Sequence, residues 1–346
     1  MRPEDVERHF NDRLPSTDPS IRDVSVRAVR RMPRGVSRET WEVEADVGCA
    51  DGTVRRGYVI RRNLRGGTSV DPVPLRFEYD VYARLAGSPV PVARPLWFDE
   101  HGLPDGHGAL YVRERVDGDW RVGHFDDPDP RWDELRIATA KEHLRHLAKL
   151  HTCDYVALGL GDILSIPPST EDCAATVLRY HEQRLRGVAE PTPVANEALA
   201  RLHATAPAKA SSIGLCKGTN GLGEEIFRDG RIVAMSDWEL AVIGDPAYDW
   251  AQIQQLVPLT APDGRQIWSE EQALAYYESV SGIHIEPATL AWYRALNSLI
   301  KFTYTSHASR VLRGGVNRGV RMAWTATEVY FRSQLGLAAM AGIEVP

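Results

Sequence analysis

The stretch Ile213 to Ile253, IGLCKGTNGLGEEIFRDGRIVAMSDWELAVIGDPAYDWAQI, gathers the side chains of this sequence best suited to chemistry. A glycine-rich turn carries Lys217, Thr219, Glu224 and Glu225. RDGR follows as a hairpin turn, and a short apolar run leads into Asp237-Trp238-Glu239 and then Asp245-Pro246. Carboxylates on loops between short strands are a common mounting for reactive groups, because the strands hold the loop in place. Asp237, directly after an apolar strand, suits a hard cation such as Mg2+ bound through one or two oxygens together with phosphate oxygens. Asp245 and Asp249 read as braces for the loop and as a cap for a helix beginning near Ala247.

Phosphoryl transfer would use such a loop, since it asks a protein for a metal-held triphosphate, a cation on the phosphates and a group that orients the nucleophile. The N-terminal part offers elements that could bring the cation. Val24, Val26 and Ala28 alternate, as do Trp41, Val43 and Ala45, so two strands flank a loop holding Gly35 and Ser37 whose backbone N–H groups could face an anion. A third strand, Gly57-Tyr58-Val59-Ile60-Arg61, ends in Arg61 and Arg62. Either arginine could serve as the phosphate cation, or the pair could simply be solvated. The spacing of Leu75, Tyr79, Tyr82 and Leu85 predicts a helix over Pro72 to Ala86, from which Glu78 could hold the arginine or form a surface ion pair with Arg76 or Arg84. Val90 to Phe98 and Ala109 to Val116 would complete a five-stranded antiparallel sheet behind an N-terminal helix over Pro3 to Leu14, and Asp117-Gly118-Asp119 reads as the connection onward.

Beyond Pro130 the pattern turns helical. Leu135, Thr139, His143, Leu147 and Leu150 predict a long amphipathic helix to about His151. His143, His146 and His151 have ordinary helical spacing and read as structural or solvated, not as a metal set. Further helices are predicted over Cys173 to Val188, Pro193 to Ala206, Ser269 to Ser281, Pro287 to Arg310 and Val320 to Ala341, most of their aromatics being core. The expected organisation is a β-rich domain over 1–116 and a helical domain over 117–346.

Composition narrows the partners. The chain of 346 residues has a net charge of -6, which gives no support for nucleic acid or an anionic membrane as a partner. Cys49, Cys153, Cys173 and Cys216 lack metal-site spacing and read as reduced thiols. The N-terminus carries acidic residues where a signal peptide needs a basic and an apolar segment, so a cytoplasmic location is expected. Oligomeric state is not legible.

GRIVAMSDWELAVIGDPAYDWA resembles the metal-binding signature of the aminoglycoside phosphotransferase and choline kinase-like family. The GVSRETW loop, the VIRR strand, Glu78, the RERVDG connection and LAKLHTCDY follow that family's order over almost the whole chain. The resemblance implies an α+β, protein-kinase-like two-lobed fold with ATP or GTP as co-substrate, Mg2+ as cofactor and a small-molecule hydroxyl acceptor. It also implies a nucleotide-binding role for Gly35, Ser37, Arg61, Glu78 and Glu114, and a metal role for Asp237. An acidic cluster that would attract cationic aminoglycosides is not recognisable, so antibiotic resistance is not predicted.

The departure lies in the catalytic loop. Where the family has His-Gly-Asp, four residues and Asn, an ungapped count back from RDGR gives Lys217-Gly218-Thr219 and, for the Asn, Glu224. A threonine hydroxyl has no accessible pKa near neutrality and cannot act as a general base. Three readings stay open. In a phosphotransferase with rebuilt chemistry, Asp237 and Glu224 hold Mg2+, Lys217 or Arg61 steadies phosphates, and Glu225 or the substrate handles the proton. In an inactive pseudo-kinase the fold only binds a nucleotide or small molecule. In a nucleotidyl transferase the turn KGTNGLG cradles a phosphate.

Overall fold

A computed structural model describes residues 1–343 apart from 33, 34, 36, 65, 68–73 and 191. The chain forms two compact units, one of Met1–Ala86, Ala93–Val116 and Tyr304–Tyr330, the other of Gly87–Val92, Asp117–Thr303 and Phe331–Pro346.

In the first unit, α1 (Pro3–Thr17) precedes strands β1 (Ile21–Arg31), β2 (Arg38–Cys49) and β3 (Gly52–Asn63), helix α2 (Leu75–Leu85), and strands β4 (Pro95–Asp99) and β5 (Leu110–Glu114). The strands form one antiparallel sheet in the order β1-β2-β3-β5-β4. Period-two alternation puts Val43, Ala45 and Val47 of β2 and Tyr58 and Ile60 of β3 on one buried face, where they meet Val6, Phe10 and Leu14 of α1. Phe10 stands edge-on to both Tyr58 and Trp97, the arrangement aromatic quadrupoles favour. The same alternation separates the two arginines. Arg61 lies between Thr40 and Tyr111 in the ladder, whereas Arg62 lies between Glu39 and Leu110 on the opposite face. The helix expected from Pro72 is described from Leu75, and its proposed first residues fall outside the described ones.

The second unit carries α3 (Asp133–His151), α4 (Cys173–Val188), α5 (Pro193–Ala204) and the loop region. That region comprises β6 (Gly214–Cys216), β7 (Asn220–Gly221), β8 (Glu225–Arg228), β9 (Arg231–Met235), β10 (Val242–Gly244), α6 (Ala247–Trp250) and β11 (Ile253–Gln254). Three short ladders pin it: β8 with β9 as a hairpin, β6 with β10 antiparallel, β7 with β11 parallel. Helix α7 (Glu270–Ser281) starts with a capping box in which Ser269 and Gln272 exchange side-chain and backbone bonds.

Three sequence expectations need correction. Leu135, expected on the buried face of α3, is 38% exposed, and the buried residue beside it is Arg136. The Arg136 guanidinium donates to the carbonyls of His124, Asp127 and Asp129 and to Asp133, so it is sheltered by the preceding segment. The single helix expected over Val320 to Ala341 is α9 (Val320–Trp324), a π-helical turn over Thr325–Val329 and α10 (Tyr330–Met340), after α8 (Pro287–Arg313). Trp324 and Phe331 in that stretch are exposed rather than core. Among the described residues no helix is long and apolar enough to cross a membrane.

Candidate active site

In the first unit the ladder register brings Arg61 to Glu78. Arg61 Nη2 donates to Glu78 Oε1 at 2.9 Å and Nη1 to Thr40 Oγ1 at 2.8 Å, while the Tyr111 hydroxyl donates to the same Glu78 oxygen at 2.9 Å. Arg38 Nε lies 3.8 Å from the other Glu78 oxygen. A fully buried carboxylate is tolerable only when paired in this way. Burial and the Glu78 charge push the Tyr111 phenol well up, so it stays a donor. Arg62 turns instead to Glu39 at 2.7 Å and Asp105 at 2.5 Å. Gly35, in a left-handed conformation at φ +106, and Ser37 sit on the β1–β2 connection, and the Ser37 carbonyl lies close against Gly67, where any side chain would collide with it. Glu114, at the end of β5, forms a half-exposed ion pair with Arg94 at 2.7 Å. Such a pair contributes little to stability.

In the second unit, Asp249 organises the loop. Its Oδ2 accepts from the Lys217 amide at 2.9 Å and its Oδ1 from the Gly218 amide at 2.6 Å, and Oδ2 also meets His151 Nε2 at 2.9 Å. The other ring nitrogen of His151 meets the Tyr277 hydroxyl at 2.6 Å. Burial alone would raise the Asp249 carboxyl, but His151 and the two amides outweigh it and hold it below the usual range. Asp245 accepts from the Ala247 amide at 2.9 Å just before α6, while burial lifts it to about 6. Cys216 converges with His151 and Asp249 in the spacing of a metal set. Its thiol, however, is pushed well up by burial and by Asp249 and lies 3.4 Å from the Asp245 carbonyl. His151 and Asp249 form a hydrogen-bonded brace, and the Cys216 thiol bonds to backbone carbonyls beside it. Gly218, at φ +85, lets the turn press on the Leu240 carbonyl, which a Cβ would approach to 2.4 Å.

The expected catalytic side chains point inward. Lys217 is fully buried, with its Nζ donating to the Thr219 carbonyl and lying 3.6 Å from Glu225 Oε1. Glu225 is also fully buried, and His143 Nδ1 lies 3.6 Å from the same oxygen. Burial, opposed in part by Lys217, raises Glu225 to about 8. Burial, reinforced by Lys217, lowers His143 to about 3. Thus Lys217 is not presented to phosphates and Glu225 is not presented to an acceptor, contrary to the sequence expectation. The two side chains face each other within the core, where Glu225 stays largely protonated at neutral pH. Thr219 donates its hydroxyl to the Asp237 carbonyl at 2.6 Å, tying the turn to the end of β9. The amides of Lys217, Gly218, Leu222 and Glu224 all bond inside the protein, which leaves the turn a poor phosphate cradle.

Glu224 and Asp237 stand at the same end of the β8–β9 hairpin. Glu225 pairs with Met235 in the ladder, and one step further the Glu224 carbonyl accepts from the Ser236 amide at 2.9 Å and its hydroxyl at 2.8 Å. Both carboxylate residues are half-buried, and Asp237 holds a left-handed φ of +65. Two hard oxygen donors at one hairpin end fit Mg2+, which keeps much of its water or phosphate shell.

A model of the phosphotransferase enzyme family matches residues 28–293. The chain belongs to that family. Solved structures of the same fold include a Ralstonia eutropha JMP134 protein assigned as an aminoglycoside phosphotransferase, 19% identical over 99% of each chain with a TM-score of 0.65. A thermostable mutant of aminoglycoside phosphotransferase APH(4)-Ia, in ternary complex with ADP and hygromycin B, is 18% identical over 97% of this chain and 98% of that one, TM-score 0.58. Macrolide 2'-phosphotransferase type I is 16% identical over 100% of this chain and 99% of its own, TM-score 0.57. No curated protein matches the sequence. The fold is therefore the α+β, kinase-like one expected for a phosphotransferase family member. Sequence reasoning missed the reach of His151 to Tyr277 and the meeting of His143 with Glu225, since nothing local marks partners so far apart in the chain.

Proposed function

We propose that this family member is a small-molecule phosphotransferase using ATP or GTP, with Asp237 and Glu224 as the Mg2+ ligands and Arg61, oriented by Glu78, as the phosphate cation. The observation that carries this reading is the preserved framework around a changed loop. Asp249 fixes the Lys217 and Gly218 backbone, and Thr219 ties the loop to Asp237. When bound, Mg2+ would neutralise charge on the phosphates. Fixing that charge and the line of attack supplies most of phosphoryl-transfer catalysis. The residues of the chain do the rest: Glu78 keeps the Arg61 guanidinium aimed, and the brace keeps Asp237 in place. For a hydroxyl acceptor, the proton must leave to the substrate's own groups or to solvent, because Thr219 cannot take it.

A second reading, a binding module without transfer, is favoured by the occupied Thr219 hydroxyl alone. Nucleotidyl transfer loses support, since the Lys217, Gly218, Leu222 and Glu224 amides are bonded internally. Titration of ATP and GTP with and without Mg2+, by thermal shift and calorimetry, separates these readings. Metal-dependent binding that Asp237→Ala abolishes, followed by acceptor-dependent ADP release, supports the phosphotransferase. Binding without turnover supports the module, release of AMP or pyrophosphate supports nucleotidyl transfer, and no nucleotide binding rejects all three.

A further inference from the structure

Acidic and basic residues are mixed through most of this chain, but not near its end. No aspartate or glutamate stands between Glu286 and Glu328, whereas Arg310, Arg313, Arg318 and Arg321 crowd the end of α8, the turn after it and the start of α9. All four are exposed. Elsewhere on the first unit, exposed arginines meet carboxylates: Arg27 and Arg55 share Asp46, Arg76 meets Asp80 and Arg94 meets Glu114. Among the described residues, Arg313, Arg318 and Arg321 have no carboxylate partner.

Apolar side chains share this surface. Met322 and Ala326 turn inward to a small core with Ala308, which fixes one face of α9. The opposite face carries Val320, 87% exposed, and one helical turn on Trp324, 56% exposed, while Val316 in the turn is also 56% exposed. The turn itself is held in one shape. The Gly315 and Val316 amides donate to the Leu312 and Val311 carbonyls, and Asn317 donates to the Gly66 carbonyl at 3.2 Å while accepting from the Gly319 amide at 3.0 Å.

We infer that this tip, residues 310–324, is a docking surface for an anionic lipid bilayer. The arginines meet the headgroup charge, and Val316, Val320 and Trp324 enter the boundary with the acyl chains. Charge complementarity selects that occupant. The net charge of -6 belongs to the whole chain, whereas screening limits the reach of a surface charge to about 10 Å, so the local arginines decide. A second copy docking through the same face would set arginine against arginine. A nucleic acid would use the arginines and leave the valines in water. A helical peptide partner needs a groove, and a side chain as exposed as Val320 has no wall beside it. The inference goes beyond the phosphotransferase reading and does not depend on it.

The test is co-sedimentation of the full-length protein with phosphatidylcholine vesicles that contain or lack phosphatidylserine. Partition onto the phosphatidylserine vesicles alone is expected, falling as salt rises. Replacing Arg313, Arg318 and Arg321 together by Gln should weaken it about 100-fold, at roughly 5-fold per charge, and replacement by Lys should restore it. Val320→Ser combined with Trp324→Ser should weaken it at least ~10-fold with the arginines intact. Trp324→Phe should keep the partition and lose the blue shift of tryptophan emission that accompanies it. Circular dichroism checks that these surface variants fold, and if any does not, the lipid and salt dependence of the native protein decides. Failure to sediment with phosphatidylserine vesicles overturns the inference, as does sedimentation indifferent to the arginines. Binding of duplex DNA by the native protein and the Val320→Ser, Trp324→Ser variant alike, with no vesicle binding, would make the patch a polyanion site instead. Self-association in the ultracentrifuge that Val320→Ser abolishes would overturn it in favour of a contact between copies.

Discussion

The Nζ of Lys217 lies 3.6 Å from Oε1 of Glu225, and neither side chain has any exposed surface. Each buried polar group has the other as its neighbour, so single and double replacements should diverge. Lys217→Met leaves the buried Glu225 carboxyl without its polar neighbour and should cost about 1–3 kcal/mol. Lys217→Met combined with Glu225→Leu removes both polar groups and should recover most of that loss, since replacing both partners by apolar groups of similar shape can be nearly neutral. Urea unfolding of the two single variants and the double variant measures the coupling directly. A double variant no more stable than the worse single would show that the pair is not a unit.

The same cluster sets a pH dependence of opposite sign on its two sides. The folded value of Glu225, about 8, lies above its ordinary 4.5, so its stabilising contribution is complete below 4.5 and is lost as pH rises through about 8. The folded value of His143, about 3, lies below 6.5, so its contribution is complete above 6.5 and is lost as pH falls toward 3. Lys217, Glu224, Asp249, His146 and His151 are the charged or titratable groups acting on this pair. Urea midpoints followed across pH should show Glu225→Gln flattening the alkaline side and His143→Asn flattening the acid side. Unchanged slopes in both variants would mean that the acid and base limbs arise elsewhere.

Asp249 presents a graded case. Asp249→Ala leaves two loop amides and a buried imidazole without their acceptor and should cost about 3–5 kcal/mol. Tyr277→Phe removes one hydrogen bond to His151 and should cost about 1 kcal/mol. The distinguishing readout is amide exchange at Lys217 and Gly218. Protection there should collapse in Asp249→Ala and persist in Tyr277→Phe, whereas a merely global loss of stability would lower both alike.

How far the chain could be read in advance follows from the range of its interactions. The sheet of the first unit was legible because alternation along β2 and β3 is local, and so was the Arg61–Glu78 pairing as one of two options. Strand alternation in the folded ladder then chose Arg61 over Arg62. The inward turn of Lys217 was not legible, since a lysine in a glycine-rich turn ordinarily faces solvent and only the packing of Glu225 across the turn and of His143 from α3 draws it in. Arg136 misled for a similar reason: helical periodicity assigns arginine to the surface, and the carbonyls that shelter it come from an irregular segment without a pattern.

Asp237 holds φ at +65, where a side chain beyond glycine costs about 1 kcal/mol or more and aspartate is among the few that enter it routinely. Asp237→Gly should therefore fold at least as stably as the native protein, while Asp237→Ala should lose about 1 kcal/mol, having neither glycine's freedom nor a polar side chain to bond locally. Both variants keep the carbonyl that accepts from Thr219, so the loop tie survives and only the carboxylate is removed. Calorimetric titration of ATP with and without Mg2+ then isolates the metal role: the magnesium-dependent part of binding should vanish in both variants despite their different stabilities. Magnesium-dependent binding retained by Asp237→Gly would place the metal on other residues, and with it would fall the explanation of why a strained aspartate stands at the end of β9.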